Sequence, residues 1–364
     1  MMSVLEQPTV EMTVIETVVA PMPERQRRIR GLTRDEWIEY AVAAVAGVHL
    51  AILLRFLLDW HDLLGTGLVA LAGFVGVHYL VVRERSTPEV AIDKTVTTVM
   101  WTIGVAVVSV LVWMISFVAA KGVKLLRWSF VTSDMSTVGP LDPGGGALHG
   151  LIGTGEQVGL AMLFVIPIAV LTAVYLHEIK GRMSPIIRFI VDALSGLPSI
   201  VAGLLCFAVL PGSYAGYKAS VALGILAIPI VTRGAEEVLR TVPDGLRESS
   251  LALGAPQWRV VTRVVLPTAQ AGLVTIVLLA IARVAGETAP VMLTAYIGRS
   301  VNTNPLHGEQ AAMSTFVYDL IKVPNETQND RAWAGALLLL IIVLIVFVAA
   351  RVALARSERR LGRR

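Results

Sequence analysis

Residues 248–267 read Glu-Ser-Ser-Leu-Ala-Leu-Gly-Ala-Pro-Gln-Trp-Arg-Val-Val-Thr-Arg-Val-Val-Leu-Pro and form a polar stretch between two strongly hydrophobic regions. Gly254 suits the end of a first helix, because a glycine adopts a positive φ without steric cost. Pro256 suits the first turn of a second helix, where its missing N–H needs no hydrogen-bond partner. The stretch therefore predicts two short helices joined by a bend.

The second of these helices is predicted to have two unlike faces. Trp258, Val261 and Val265 recur at helical spacing and would form an apolar face. Arg259 and Arg263 stand four residues apart and would form a cationic face. Such a bend, held outside the bilayer by the hydrophobic regions around it, suits a membrane protein that a soluble partner grips.

The composition indicates a membrane protein. Hydrophobic residues make up 55% of the 364 residues and charged residues only 16%, and the mean hydropathy is +0.70. Such a chain is too apolar to bury its surface in one soluble core, so membrane lipid is its expected surrounding. The net charge of +4 gives no indication of nucleic-acid binding. The one cysteine, Cys206, lies in an apolar stretch and cannot form an intrachain disulfide.

Eight apolar stretches predict the membrane-spanning helices, because about 20 helical residues cross a hydrocarbon core of about 30 Å. They lie at residues 38–60, 64–83, 95–120, 155–177, 187–211, 217–232, 270–294 and 332–355. We therefore predict an all-α fold, a polytopic membrane helical bundle of about eight transmembrane helices. The expected parts are a cytoplasmic N-terminal tail at 1–36, two extra transmembrane helices at 37–94, a transmembrane domain at 95–356 with a coupling loop at 233–267, and a basic cytoplasmic tail at 357–364.

Basic clusters predict the orientation through the positive-inside rule. Lys180, Arg182 and Arg188 precede the fifth apolar stretch. Five arginines follow the sixth stretch, namely Arg233, Arg240, Arg247, Arg259 and Arg263. Both clusters are therefore expected in the cytoplasm, together with both termini, and the long loops at 121–154 and 295–331 are expected outside.

Prolines single out the fourth to seventh apolar stretches. These contain Pro167, Pro198, Pro229 and Pro290. A proline inside a spanning helix frees a carbonyl group that only protein or water can satisfy, so proline-bearing helices belong in the interior of a bundle. The four stretches are therefore expected to enclose a central pathway.

Five charged residues are candidates for that pathway. Arg283 and Glu287 stand four apart, so they would share a helix face near the middle of the bilayer. An isolated charge there costs about 2.5–3.5 kcal/mol on insertion scales. Two arrangements stay open, a structural ion pair or side chains exposed to an aqueous path. Arg188, Arg233 and Glu236 lie at predicted cytoplasmic helix ends, where position alone indicates anchoring and capping charges.

The spacing within the bend resembles the EAA loop of the permeases of ABC importers. The matching residues are Glu248, Ser249, Ser250, Gly254, Val264, Leu266 and Pro267, with serines where alanines are usual. The segments Ile-Val-Thr-Arg-Gly-Ala-Glu at 230–236 and Ala-Ile-Ala-Arg-Val-Ala-Gly-Glu-Thr-Ala-Pro at 280–290 are similar to the phosphate-specific members. The resemblance covers roughly 95–356 and leaves the two N-terminal helices without a role. It implies a type I ABC-importer permease fold in the bacterial inner membrane.

The resemblance also implies roles for individual residues. Arg233 and Glu236 match family positions implicated in phosphate passage, with Arg188 beside them. A guanidinium suits this role because it stays charged and presents a planar fork to phosphate oxygens. In the bend, Glu248 would pair with an ATPase subunit and Gly254 and Pro256 would permit the turn. The residues expected to fill the groove of the ATPase are Leu251, Leu253 and Trp258.

The partners that the resemblance implies are a second, PstC-like permease, a PstB-like ATPase dimer and an external, PstS-like phosphate-binding protein, with inorganic phosphate as the transported ion. The sequence contains no Gly-x-x-x-x-Gly-Lys-Ser/Thr phosphate loop. ATP and Mg are therefore expected on the partner ATPase, no cofactor is expected on this chain, and an enzyme is not indicated. The six histidines lack metal-ligand spacing.

Other functions stay open. Within the same class, the chain could be a permease for another oxyanion or the partner permease of the phosphate system. From a different class, it could be a transporter or channel that works without ATP. A membrane sensor is disfavoured, because the chain has no sizeable soluble domain.

Overall fold

The computed structural model describes residues 33–59, 62–139 and 142–360, which form helices and contain no strand. The helices are α1 (Arg34–Leu57), α2 (Leu63–Arg85), α3 (Pro88–Gly122), α4 (Trp128–Thr132), α5 (Leu148–Val174), α6 (Ser184–Ser195), α7 (Ser199–Val209), α8 (Gly216–Arg240), α9 (Asp244–Ala252), α10 (Gln257–Val260), α11 (Leu266–Ala285), α12 (Ala289–Thr294), α13 (Met313–Ile321) and α14 (Glu326–Arg360). Two π-helical turns, Tyr175–Ile179 and Val261–Val265, follow α5 and α10. The all-α prediction is confirmed. Most of the predicted tail at 1–36, and residues 361–364 of the predicted tail at 357–364, lie outside the described residues.

Seven of the described helical segments are long and apolar enough to cross a membrane, and the pair α6 and α7 adds an eighth if it counts as one bent span. The predicted number of about eight is therefore confirmed. The continuous helix predicted at 187–211 is wrong, because α6 and α7 meet at an angle of 104°. Gly196 ends α6 and Pro198, which lacks an N–H, precedes α7. Ser195, Leu197 and Ser199, at and beside the break, line a cavity.

The sixth predicted span is longer than its hydropathy indicated. Helix α8 covers Gly216–Arg240 and continues through Pro229. It is the most deeply buried of the spanning helices, with 61% of its apolar window inside the protein. A helix that faces other helices needs less hydrophobicity than one that faces lipid, which explains the weak signal at 217–232.

The seventh predicted span is displaced along the chain. The spanning helix runs over Gln257–Ala285, including the π-helical turn, and not over 270–294. It ends at Gly286, and Pro290 lies in the first turn of the separate helix α12. A proline is compatible with that position because its missing N–H has no helical partner there. Pro290 therefore starts a short helix and does not interrupt a spanning one.

The described residues divide into two compact units, those up to Ser109 and those from Val110 onward, with the division inside α3. In the first unit, α1 and α2 cross closely at Gly47, where an added Cβ would lie 2.5 Å from the backbone nitrogen of Phe74. A buried polar group also holds this unit together, since the ring of Tyr40 stacks on His78 and the hydroxyl of Thr98 lies 3.1 Å from His78 Nε2. The expected domain boundary near residue 95 stays a prediction.

The second unit has three apolar clusters along its length. The middle cluster joins α5, α8, α11 and α12, and so unites the elements that carry Pro167, Pro229 and Pro290. A second cluster joins α4, α13 and α14. The third packs the end of α5 against the end of α8 and against Val260, Val261 and Val265. We call the protruding segment from α9 to this last π-helical turn, residues 244–265, the elbow.

Candidate functional site

The first candidate site is a cavity of about 320 Å³ between the break of α6 and α7, helix α8 and the end of α11. Its ionisable lining residues are Arg233, Arg283 and Glu287. Ser195 and Ser199 add hydroxyl groups beside the helix break. We call it the inner cavity.

Arg283 and Glu287 do not share a helix face, because α11 ends at Ala285 and Glu287 follows the break at Gly286. Within the described residues, no ion pair within 4.0 Å joins their side chains. Both nevertheless line the inner cavity. The structural ion pair is therefore wrong, and exposure to a polar cavity is the arrangement that the structure has.

A second cavity, of about 240 Å³, adjoins the ends of α6 and α8. Its charged lining residues are Arg188, Asp192, Arg233, Glu236, Glu237 and Arg240. Arg233 lines both cavities, so this residue lies where the two spaces adjoin. We call this second space the outer vestibule, because it lies nearer the helix ends.

Glu236 is the buried centre of the outer vestibule. Its carboxylate accepts hydrogen bonds from Arg188 at 2.6 Å and from Arg240 at 3.2 Å. The Glu236 side chain is only 9% exposed. A buried carboxylate needs such partners to offset its lost hydration. Glu236 therefore fastens α6 to α8, whatever further role it has.

Arg233 forms an ion pair with a residue of another helix. Its guanidinium contacts Asp192 of α6 at 2.5 Å, and both side chains are more than half exposed. Sequence reasoning did not include Asp192 among the site residues. The signal was available, since Asp192 stands one helical turn after Arg188 and therefore shares its face.

The elbow has the predicted bend. Gly254 has a φ of +80°, which confirms its role as the turning residue. Pro256 is the N-cap of α10 and so stands just before the first turn in which it was predicted. The single apolar face is wrong, because Trp258 is 61% exposed whereas Val261 and Val265 are buried. The π-helical turn at Val261–Val265 has more residues per turn than an α-helix and so breaks the expected register.

The exposed side of the elbow carries three large apolar side chains. Leu251, Leu253 and Trp258 are 49%, 88% and 61% exposed. The guanidinium of Arg259 lies 5.2 Å from the Trp258 ring centre, a cation–π distance. Glu248 is also exposed. These residues are therefore accessible to a partner, as their predicted role requires.

The two long loops at the opposite end are tied together by Asp134. One carboxylate oxygen accepts hydrogen bonds from the hydroxyl and backbone of Ser136, and the other accepts from the backbone N–H of Val301. The hydrogen bond from the Ser136 hydroxyl, helped by the two backbone bonds, holds the pKa of Asp134 below its ordinary value. Buried Arg331 donates to the backbone carbonyls of Asp142 and Gly144. The loops predicted at 121–154 and 295–331 therefore form one surface.

Together, the spanning helices and the charged cavities define a polytopic helical membrane protein with an ionised interior. In the described part of the chain, no cluster of His, Cys, Asp or Glu could hold a metal ion. The chain belongs to the family of binding-protein-dependent transport system inner membrane components, whose model matches residues 165–363. It is therefore a transport component and a multi-pass inner membrane protein, and the family resemblance of its sequence is confirmed.

Named relatives are similar over most of their length. The chain is 39% identical over 287 residues to the phosphate transport system permease protein PstA 1 of Mycobacterium tuberculosis H37Rv, covering 77% of this chain and 92% of the relative. It is 35% identical over 254 residues to PstA of Pasteurella multocida, covering 68% and 89%. A chain of the inward-facing MetNI methionine ABC transporter matches with a TM-score of 0.46 and 21% identity, over 58% of this chain and 94% of that chain.

Proposed function

We propose that this chain is the transmembrane permease subunit of an ATP-driven phosphate importer. In this proposal it forms the translocation pathway and is driven by a separate ATPase. The observation that carries the proposal is the position of Arg233, which lines both the inner cavity and the outer vestibule. The names of relatives that are 35–39% identical favour phosphate as the transported anion.

The chemistry of the two cavities suits a multivalent oxyanion. Arginine forks bind phosphate oxygens in pairs and remain charged at any physiological pH. Arg283 contributes a second guanidinium to the inner cavity, and Arg188 and Arg240 continue the cationic lining in the outer vestibule. Acidic neighbours keep the anion from binding too tightly, because conduction requires release as well as entry. Asp192, Glu236 and Glu287 supply this opposing charge.

The same proposal assigns the partners. A PstB-like ATPase dimer, which binds ATP and Mg, would grip the elbow at Glu248, Leu251, Leu253 and Trp258. A PstC-like permease would complete the pathway. A PstS-like phosphate-binding protein would dock on the loop surface joined by Asp134. The elbow and both termini then face the cytoplasm, in agreement with the basic residues around the elbow.

The test is transport by the assembled complex in proteoliposomes. Uptake of labelled phosphate should require ATP inside with the ATPase, and excess sulfate or molybdate should not compete. Arg233→Ala should reduce uptake about tenfold or more, because phosphate loses a bidentate, charge-assisted contact. Arg182→Ala is the matched control, since Arg182 is exposed and lines neither cavity.

Three outcomes would contradict the proposal. Competition by sulfate or molybdate would indicate a permease for another oxyanion. Uptake without any ATPase subunit would indicate an ATP-independent transporter. Equal phosphate uptake by the Arg233→Ala and Arg182→Ala variants would show that the two cavities are not part of the translocation pathway.

A further inference from the structure

Helix α9 of the elbow has no buried residue, yet one of its side chains is almost enclosed. Arg247 is only 13% exposed, and its guanidinium makes a 2.9 Å ion pair with Glu178, whose side chain is 8% exposed. Its Nε also lies 3.2 Å from both oxygens of that carboxylate. This two-sided, charge-assisted contact fixes the orientation of both groups.

Arg247 also reaches the end of α8. Its two terminal nitrogens donate to the carbonyl of Val242 at 2.6 Å and to that of Leu239 at 2.8 Å. Leu239 belongs to the last turn of α8, whereas Glu178 lies in the π-helical turn that continues α5. One side chain therefore connects the elbow to both helices.

A residue on the other side of the bend also binds Glu178. Gln257 is the first residue of α10, and its side-chain amide donates to the backbone carbonyl of Glu178 at 2.8 Å. The two arms that flank Gly254 therefore both hold residue 178, one through its carboxylate and one through its carbonyl. We call Glu178, Arg247 and Gln257 the elbow clamp.

The clamp lies between the exposed elbow and the cavity helices. A force applied at the exposed Leu253 or Trp258 would act on α9 and α10. The hydrogen bonds and the ion pair of the clamp join these two helices to the rest of the second unit. Helix α8 carries Arg233 and Glu236, and α5 packs along α8 through the middle apolar cluster. The clamp therefore joins the elbow to α8, which lines both cavities.

We propose that the elbow clamp is the rigid link through which ATPase motion moves α5 and α8. This inference rests on the proposed function and adds to it the residues that transmit the force. Arg247 and Glu178 act as positioning residues, since neither touches the anion or the nucleotide. Glu248, the next residue after Arg247, is exposed and would contact the ATPase instead.

The experiment compares Glu178→Gln, Arg247→Lys and the double variant in the complete importer in proteoliposomes. Phosphate uptake and ATP hydrolysis are measured in the same vesicles, and bound ATPase is measured after purification. Each single variant should keep its ATPase and its hydrolysis but lose about tenfold in phosphate moved per ATP, within the usual range of coupling between sites. The double variant should be no worse than Arg247→Lys, because both changes break one contact.

Arg263→Lys is the matched control, since Arg263 is an exposed arginine of the same elbow. Its ratio of phosphate to ATP should equal that of the unchanged protein. A second test replaces the ion pair between residues 178 and 247 by a covalent cross-link. In a Cys206→Ser background, Glu178→Cys and Arg247→Cys are joined by a short reagent that reacts with two thiols. The joined protein should recover the ratio that the unjoined one loses.

The outcomes separate the two proposals. Absence of ATP-dependent phosphate uptake by the unchanged complex would refute the proposed function. A functioning unchanged complex whose clamp variants keep the normal ratio would overturn the rigid link. The rigid link would also be overturned if the cross-linked protein could not transport phosphate, because transport would then require the contact between residues 178 and 247 to open. Loss of the ATPase from the clamp variants on purification would also contradict the rigid link, because it would show that the clamp is needed for the ATPase to bind.

Discussion

The ion pair between Arg233 and Asp192 at the cavities and the ion pair between Arg247 and Glu178 at the elbow use the same chemical groups in opposite surroundings. At the cavities, Arg233 and Asp192 are 52% and 63% exposed, whereas at the elbow Arg247 and Glu178 are 13% and 8% exposed. Exposed pairs contribute little to stability and exchange easily with water or an anion. Buried pairs resist separation, because either charge alone would be left without hydration. The exposed pair of Arg233 and Asp192 can therefore open easily, whereas the buried pair of Arg247 and Glu178 stays closed.

The largest expected effect is on the buried pair. Arg247→Ala would leave the Glu178 carboxylate buried and without its guanidinium, at a cost of about 3–5 kcal/mol in the free energy of unfolding. Denaturant unfolding in detergent micelles measures the loss. Arg259→Ala is the control and should cost less than about 1 kcal/mol, the size of an exposed cation–π contact. A similar loss of unfolding free energy in the two variants would contradict the predicted difference between the buried and the exposed contact.

A smaller effect is expected at the exposed pair, and it should appear in transport. Asp192→Asn removes the carboxylate that competes with an anion for Arg233, so the KM for phosphate should fall about two- to fivefold, the size of an exposed ion pair. The maximal rate should fall as well, because release becomes slower. Uptake measured against phosphate concentration separates the two parameters. An unchanged KM would mean that Asp192 does not compete with the substrate.

The smallest effect is expected from Asp134, at the loop surface. Its pKa is lower in the folded protein than in the unfolded chain, so its stabilising hydrogen bonds are complete above the unfolded pKa. They are lost as the pH falls through the folded pKa, which places the loss below about pH 4. Thermal unfolding of the protein and of Asp134→Asn should differ at pH 6 and converge at lower pH. A constant difference would contradict the assignment.

Sequence reasoning succeeded where local rules decide the structure. The apolar stretches predicted the membrane helices, and the conformational freedom of glycine predicted the bend at Gly254. The family was indicated by the resemblance of the residues in the bend and around Arg233 and Arg283 to known permeases, and the family model confirms it. Each of these signals lies within a few consecutive residues, so it survives without knowledge of the tertiary structure.

The failures occurred where distant residues decide. Glu287 was placed on a helix that in fact ends at Ala285, because the inner cavity accommodates the irregular backbone there. The partner of Arg233 stands 41 residues earlier in the chain, and that of Arg247 stands 69 residues earlier. Helical spacing places Asp192 on the same face as Arg188, but it does not show which residue of another helix Asp192 contacts. Arg247 was accordingly treated only as one of several inside charges.

The two π-helical turns have a consequence for how this part of the chain tolerates changes in length. A π-helical turn takes up one residue more than a regular turn, so each behaves like an insertion that the helix has absorbed. Deleting one residue within Val261–Val265 would restore a regular helix and leave the residues on either side facing nearly the same directions, because the wider turn had absorbed that one residue. Trp258 would then keep nearly the same direction, so a protein shortened by one residue at this turn would present almost the same exposed surface, whereas a deletion in the regular part of α11 would rotate that surface by about 100°.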